Sequence, residues 1–256
     1  MPPQEKYHAL VSGESLKGPR VYGPEAIRKI NGHLVFTVTV AGNAVDLPLI
    51  NVGKDEPVWI AYADVLKSQE LRQFAKAEMV ERLTNELLDN PNIKAFVTPQ
   101  SSKSETFVHA VVAEVSLNVG KQMPLIQLIG SEDELYTRNR AATGLVTECI
   151  SVVSAAKGIK KYMGITQNDA ELLRALGGEI VWIDDILTTG ETRDKSFFLI
   201  NRALGLPDTA THPTFVIGTE SEWSQGYPKK FPGVNAIYHT PEFTHVLPPI
   251  LEHQLA

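Results

Sequence analysis

The chain has 256 residues, 43% of them hydrophobic and 21% charged, and a formal net charge of −6. That length buries a full core, as one domain or as a domain with an appendage, and the acidic balance argues against general affinity for nucleic acid or an anionic membrane. Cys149 is the sole cysteine, which excludes an internal disulfide or a cysteine metal site and fits a reducing cytoplasm; no apolar run reaches membrane-span length, and Met1 to Lys6 is too polar to open a signal peptide.

Residues 1–25 are rich in Pro, Gly and Lys and define no element. Leu34 to Val40 is a strand by its β-branched content. Ala41 to Ala44 reads as a turn and Val45 to Val52 as the return strand of a hairpin, with Pro57 to Tyr62 as a third strand. From Asp64 to Leu88 the period becomes helical, carried by Leu71, Phe74, Ala75, Met79, Leu83 and Leu87. Asn90-Pro91-Asn92 ends that helix, and Ile93 to Val97 follows as a buried strand.

Thr98 to Ser104 leaves this strand and opens the next helix. Ser102-Lys103-Ser104-Glu105 reads as a capping box, with the helix running to about Leu117. A helix start with several hydroxyls and a lysine suits an anion, although a plain capped loop with a solvated lysine fits the same residues. Met123 to Ile129 is the next strand. Residues 130–163 are too long for a simple connection. They begin acidic, at Ser131 to Glu134, and continue with Arg138 and Arg140. Leu145, Val146, Cys149, Ile150 and Val153 share one face of an expected amphipathic helix over 144–156. That helix could pack on the fold or serve a dimer contact. Gly164 to Gln167 is a short strand and Asp169 to Leu176 a helix.

Residues 179–192 carry the most information. Ile180 to Ile183 is an apolar strand, followed by Asp184 and Asp185, then a turn of small residues at Thr188, Thr189, Gly190 and Thr192. Arg193 to Leu204 reads as a helix closed by Gly205 and Pro207. A glycine turn at a helix start aims backbone N–H groups and the positive end of the dipole at one spot, which favours a phosphate. Carboxylates at the carboxyl end of a strand accept hydrogen bonds from sugar hydroxyls, so one segment could hold a sugar phosphate by both ends. The plainer alternative is a solvated acid pair before an ordinary turn. Thr211 to Thr219 is the last core strand, and 220–256, with Trp223, Tyr227 and Phe231, reads as a loop-rich cap. The alternation over 64–219 indicates an α/β fold with a doubly wound, mainly parallel sheet.

From Ile180 to Thr192 the sequence resembles the type I phosphoribosyltransferases, whose signature is an apolar run, two acids, two apolar positions and a Thr-Gly-x-Thr phosphate loop. The likeness is weaker at 97–106 and architectural elsewhere. It implies a core of 64–219 with a small β-rich hood from 1–63 and 220–256. It implies 5-phosphoribosyl 1-pyrophosphate as donor and a nitrogenous base as acceptor, giving a nucleoside 5′-monophosphate and pyrophosphate, as in nucleotide salvage. Asp184 and Asp185 would meet the ribose 2′- and 3′-hydroxyls, and either could contact Mg2+ directly or through water. Ile186, Leu187, Thr188, Thr189, Gly190, Glu191 and Thr192 would form the 5′-phosphate loop. Ser102, Lys103 and Ser104 would hold pyrophosphate, and Arg138, with Arg140, would neutralise it as it leaves. Trp223 is the first choice for stacking on the base, unless it is hood core. Family 6-oxopurine enzymes tend to have Glu-Asp at the acid pair, so a purine with adenine first is expected, in a cytoplasmic homodimer without nucleic acid or membrane partners. The runner-up is a regulator that binds the donor or a nucleotide without turnover, and a third reading is an unrelated sugar-phosphate enzyme. The seven histidines show no metal-ligand spacing, and no Walker loop or dinucleotide fingerprint is present. His109 is expected packed in its helix.

Overall fold

The structure is a computed structural model that describes residues 20–51, 58–101, 104–130, 146–154, 159–188, 190–224, 227–228 and 234–244. In chain order the strands are β1 (Arg20–Val21), β2 (Ile27–Ile30), β3 (His33–Val40), β4 (Asn43–Asn51), β5 (Val58–Ala61), β6 (Ile93–Pro99), β7 (Leu125–Leu128), β8 (Val146–Ser154), β9 (Ile159–Thr166), β10 (Glu179–Leu187), β11 (Thr214–Ser224), β12 (Tyr227–Pro228) and β13 (Val234–Thr244). The helices are α1 (Gln69–Asp89), α2 (Glu105–Asn118), α3 (Gln167–Leu176) and α4 (Glu191–Leu204). The fold is α/β, with a mainly parallel core sheet and a separate β-rich antiparallel part. By contact the chain divides into two compact units: residues 1–82, 185–188 and 216–256, and residues 83–184 and 189–215.

In the first unit β2, β3, β4 and β5 pair antiparallel in that order, and β5 pairs antiparallel with β13. Two tight turns set this meander. Asn31 and Gly32 have φ of 50° and 82°, and Ala41 and Gly42 have 48° and 76°, the positive pairs that two-residue hairpins with the right twist require. Asn31-Gly32 is a strong hairpin signal, and it adds β2 to the strands expected above. Alternation along β4 buries Val45, Leu47 and Leu49 and leaves their neighbours Asp46 and Pro48 exposed.

The helical stretch starts later than Asp64. The Asp64 carboxylate accepts the N–H groups of Leu66 (3.0 Å) and Lys67 (3.1 Å) in a turn, and Ser68 caps α1 by accepting from Leu71 N–H at 3.2 Å. Leu71, Ala75, Met79, Leu83 and Leu87 form the buried stripe of α1. Glu78, on the same helix, is fully buried. It accepts the Ala41 N–H at 2.5 Å and the Arg82 guanidinium at 2.6 Å, and Arg20 lies 3.6 Å away. Arg82 also donates to the Ala236 carbonyl at 3.1 Å. One ion cluster thus ties the β3–β4 turn, α1 and β13 together inside this unit. The segment after β11, expected to be loop-rich, includes β12 and β13; its aromatic and β-branched residues favour extended backbone.

In the second unit β10, β6 and β7 are parallel neighbours in that order, with Trp182 opposite Val97 and Val97 opposite Ile126. β6 from Ala95 to Pro99 and β10 from Ile180 to Ile183 are continuously buried, as parallel strands covered on both faces must be, while β7 alternates buried and half-buried residues. The expected helix over 144–156 is instead β8, paired antiparallel with β9 from Val146↔Thr166 to Ser154↔Ile159. Val146, Thr147, Ile150, Val152 and Val153 are β-branched, and an available partner strand overrides the helical spacing of the apolar positions. The expected short strand at 164–167 is correspondingly the end of the longer β9. His109 is exposed on α2, not packed.

His212 is half-buried before β11, shares a 2.8 Å hydrogen bond with the fully buried Asn201, and stands edge-on to Phe197. Burial pushes its pKa below the ordinary 6.5, against a smaller upward pull from Glu179. The folded state therefore prefers neutral His212, and the unfolded chain takes up the extra proton. The corresponding stability is present above about pH 6.5 and is lost as pH falls toward the lower folded value. Urea unfolding across pH 7 to 5 should show that slope, and His212→Gln should reduce it; an unchanged slope in the variant would contradict the assignment. Glu78→Ala leaves Arg82 buried without its carboxylate and should cost about 3–5 kcal/mol in the same assay. A loss below about 1 kcal/mol, the range of exposed pairs, would show that the cluster is solvated.

Candidate functional site

The carboxyl ends of the parallel strands in the second unit lead into the segments that carry polar chemistry, the edge where open α/β sheets bind ligands. β6 ends in Thr98 and Pro99 and leads to Gln100 and Ser101, β7 leads to Ile129 and Gly130, and β10 carries the acid pair. Gln100 braces this edge: its amide N–H reaches the Leu128 carbonyl at 2.9 Å, and its side-chain oxygen accepts the Gly130 N–H at 2.6 Å. Ile129 and Gly164 exchange both backbone hydrogen bonds at 2.9 Å, so the 130–163 excursion leaves and re-enters the fold at one point.

β10 runs four residues past Ile183, to Leu187, so Asp184 and Asp185 lie within the strand and not beyond it. Successive strand residues face opposite ways. Asp184 is 7% exposed and its Oδ1 accepts the Ser104 hydroxyl at 3.1 Å. Asp185 is half-buried and its Oδ1 accepts the Ile186 N–H at 2.8 Å. Ile186 is half-buried, Leu187 buried and Thr188 exposed.

α4 starts two residues earlier than expected, with Gly190 as its N-cap at φ 81°, the left-handed region where a side chain is strained. Gly190 has no side chain of its own to cap this helix end, where backbone N–H groups and the positive end of the dipole gather. Thr192 is half-buried in that turn. Glu191 and Asp194 stand in the same turn, and Asp194 pairs with Arg193 at 2.9 Å. Arg193 also lies over the Phe197 ring, 5.7 Å from its centroid.

The capping box at 102–105 does not form as expected. The helix begins at Glu105, the N-cap is Ser104, and the Ser104 side chain makes no cap. The structure brings Ser104 and Asp184 together across 80 positions of sequence. Ser102, Lys103, Arg138 and Thr189 lie outside the described residues, as does Arg140. Trp223 is a backbone member of β11 opposite Pro228 of β12, and its side chain is outside what the structure describes. Among the described residues, no three carboxylate, imidazole or thiolate groups gather as a metal cage. No described helix is long and apolar enough to cross a membrane.

No family model and no curated protein matches this chain. Solved structures that align with it include an adenine phosphoribosyltransferase from Thermoanaerobacter pseudethanolicus, with 15% identity, a TM-score of 0.46, and coverage of 76% of this chain and 95% of that one. A Giardia lamblia adenine phosphoribosyltransferase complexed with 9-deazaadenine aligns at 13% identity and a TM-score of 0.45, over 80% of this chain and 93% of that one. A Trypanosoma cruzi hypoxanthine phosphoribosyltransferase complexed with IMP aligns at 13% identity and 0.41, over 68% and 74%. At these scores the alignments carry no functional weight, which rests on residues 184–192 of the chain itself.

Gly190→Ala should lower stability by about 1–2 kcal/mol, the cost of a side chain in left-handed backbone. Urea denaturation of the variant checks this, and an unchanged midpoint would contradict the positive φ at the start of α4.

Proposed function

We propose that the chain is a phosphoribosyltransferase that joins a nitrogenous base to the ribosyl carbon of 5-phosphoribosyl 1-pyrophosphate. The observation that carries this reading is the run from β10 through Asp184 and Asp185 to the left-handed Gly190 at the N-cap of α4. Phosphate and ribose demand opposite groups, donors for the one and acceptors for the other. This segment supplies both within nine residues, Asp184 to Thr192.

In the proposed reaction the bond from the anomeric carbon to the pyrophosphate oxygen breaks, and a bond from that carbon to a ring nitrogen of the base forms. The base nitrogen loses its proton, and Asp185, the more exposed acid, is the proposed acceptor. Residues 186–192 hold the 5′-phosphate, and the acid pair accepts from the ribose hydroxyls. Ser102 and Lys103 are proposed at the pyrophosphate, with Arg138 meeting its charge as it departs. A fixed donor matters because positive charge grows on the ribose as the leaving group separates, and orientation supplies much of the rate. A magnesium ion fits the donor set as a substrate-borne ion. Pyrophosphate oxygens and water would form most of its shell, and Asp184 and Asp185, facing opposite ways on the strand, would not both bind it directly.

The acceptor proposed is a purine, since 220–256 carries aromatics for a flat base and no basic cluster for an anionic one, and adenine comes first because the resembled 6-oxopurine enzymes tend to have Glu-Asp where this chain has Asp184-Asp185. Trp223 is proposed to stack on it, within a hood of 1–63 and 220–256 over a core of 64–219. A cytoplasmic homodimer is the proposed state. One observation favours a second reading, a binder without turnover: Glu191 and Asp194 put negative charge in the turn offered to the phosphate.

Incubation of the chain with the labelled donor, magnesium and a panel of bases decides between the readings. Nucleotide formation with adenine is expected. Donor binding without turnover of any base would leave the binder, and neither binding nor turnover would overturn both. Asp184→Asn with Asp185→Asn should reduce donor affinity by at least about tenfold, since each charged acceptor contributes about 1.5–3 kcal/mol. Unchanged affinity in titration calorimetry would remove the acids from the donor site.

A further inference from the structure

An N-cap serine ordinarily turns its oxygen onto an amide of the first helical turn. Ser104 does not. Its backbone is right-handed, φ −97° and ψ −17°, and its side chain caps nothing on α2. Ser101 satisfies the helix start in its place. The Ser101 hydroxyl oxygen accepts the Ser104 N–H at 3.4 Å, and the Ser101 carbonyl accepts the Glu105 N–H at 3.0 Å. Ser104 is thereby released, fully buried, to donate to Asp184 Oδ1 at 3.1 Å.

A hydroxyl with no exposed surface is poorly placed for a soluble anion, which is the role its sequence position suggested. It is well placed to orient a buried carboxylate, because a donor on one oxygen fixes the plane of the whole group. We propose that Ser104 is a positioning residue for Asp184 and serves the ribose end of a sugar phosphate, not the pyrophosphate end. The inference rests on the phosphoribosyl reading of residues 184–192. It also links the start of α2 mechanically to Asp184.

Titration calorimetry on the full chain with magnesium tests this with three probes, which are the phosphoribosyl pyrophosphate donor, ribose 5-phosphate and inorganic pyrophosphate. Ser104→Ala should weaken the donor and ribose 5-phosphate about tenfold each, the effect of one hydrogen bond to a charged group, and leave pyrophosphate unchanged. In an Asp184→Asn background the same substitution should add little, because the two residues act as one unit. Ser104→Cys keeps the volume and supplies a weaker donor, so it should fall between wild type and Ser104→Ala; it carries the test if the alanine variant does not fold. A selective loss of pyrophosphate binding would return Ser104 to the phosphate loop and overturn the proposal. Unchanged binding of all three probes would overturn it equally. If the wild-type chain binds none of the three, the phosphoribosyl reading fails first and the role of Ser104 fails with it.

Discussion

A carboxylate buried at the end of a central strand loses water that it can replace only with hydrogen-bond donors, and that constraint organises the second unit of this chain. Asp184 is buried within β10, and one donor comes from Ser104 at the start of α2. The Ser104 side chain turns to Asp184 and caps nothing on α2, while the Ser101 hydroxyl oxygen accepts the Ser104 N–H at the helix start. Ser101, Ser104 and Asp184 are therefore joined by one chain of hydrogen bonds. Its cost is offset only if the carboxylate is needed, since burying the acid without such partners is expensive and an apolar residue would avoid the expense.

The first unit meets the same constraint in a different way. Glu78 is buried more completely than Asp184, but its partners are a backbone amide and two guanidinium groups, which neutralise it. Its role is to lock the Ala41-Gly42 turn and β13 against α1, and its geometry offers nothing to a ligand. The contrast is one of partners: Glu78 is met by opposite charge, whereas Asp184 accepts a neutral hydroxyl. Asp64 is held chiefly by backbone amides, those of Leu66 and Lys67. Burial, the largest influence, pushes its pKa up, but the Lys67 and Leu66 amides, the Tyr62 hydroxyl and the Lys67 charge together pull it below the ordinary carboxylate value.

Much of this was legible in the sequence where local pattern and tertiary demand agree. β3, β4, β6 and β10 carry β-branched or continuous apolar runs, and the 3.6-residue stripe of α1 from Leu71 to Leu87 is unambiguous. The strand–acid–glycine–helix order at 179–192 was readable because each part has its own local signal. Three features were not. Residues 146–154 have apolar spacing that fits a helix, and only the partner strand at 159–166 decides for β8. β10 extends through two aspartates, which strand propensity disfavours, and only the fold supplies Asp184 with the Ser104 donor. The contact of Ser104 with Asp184 joins residues 80 positions apart, a distance at which no spacing rule applies.

The central claim is that the segment from Asp184 to the first turn of α4 receives a phosphorylated sugar. The most direct test is a titration of the isotope-labelled chain with 5-phosphoribosyl 1-pyrophosphate and magnesium, followed through assigned backbone amide resonances. The largest shifts should fall on Gly190, Glu191 and Thr192, whose amides lie at the start of α4, with smaller ones at Asp184 and Asp185. Saturable shifts that leave these five amides unmoved, or no shifts at all, would contradict the account.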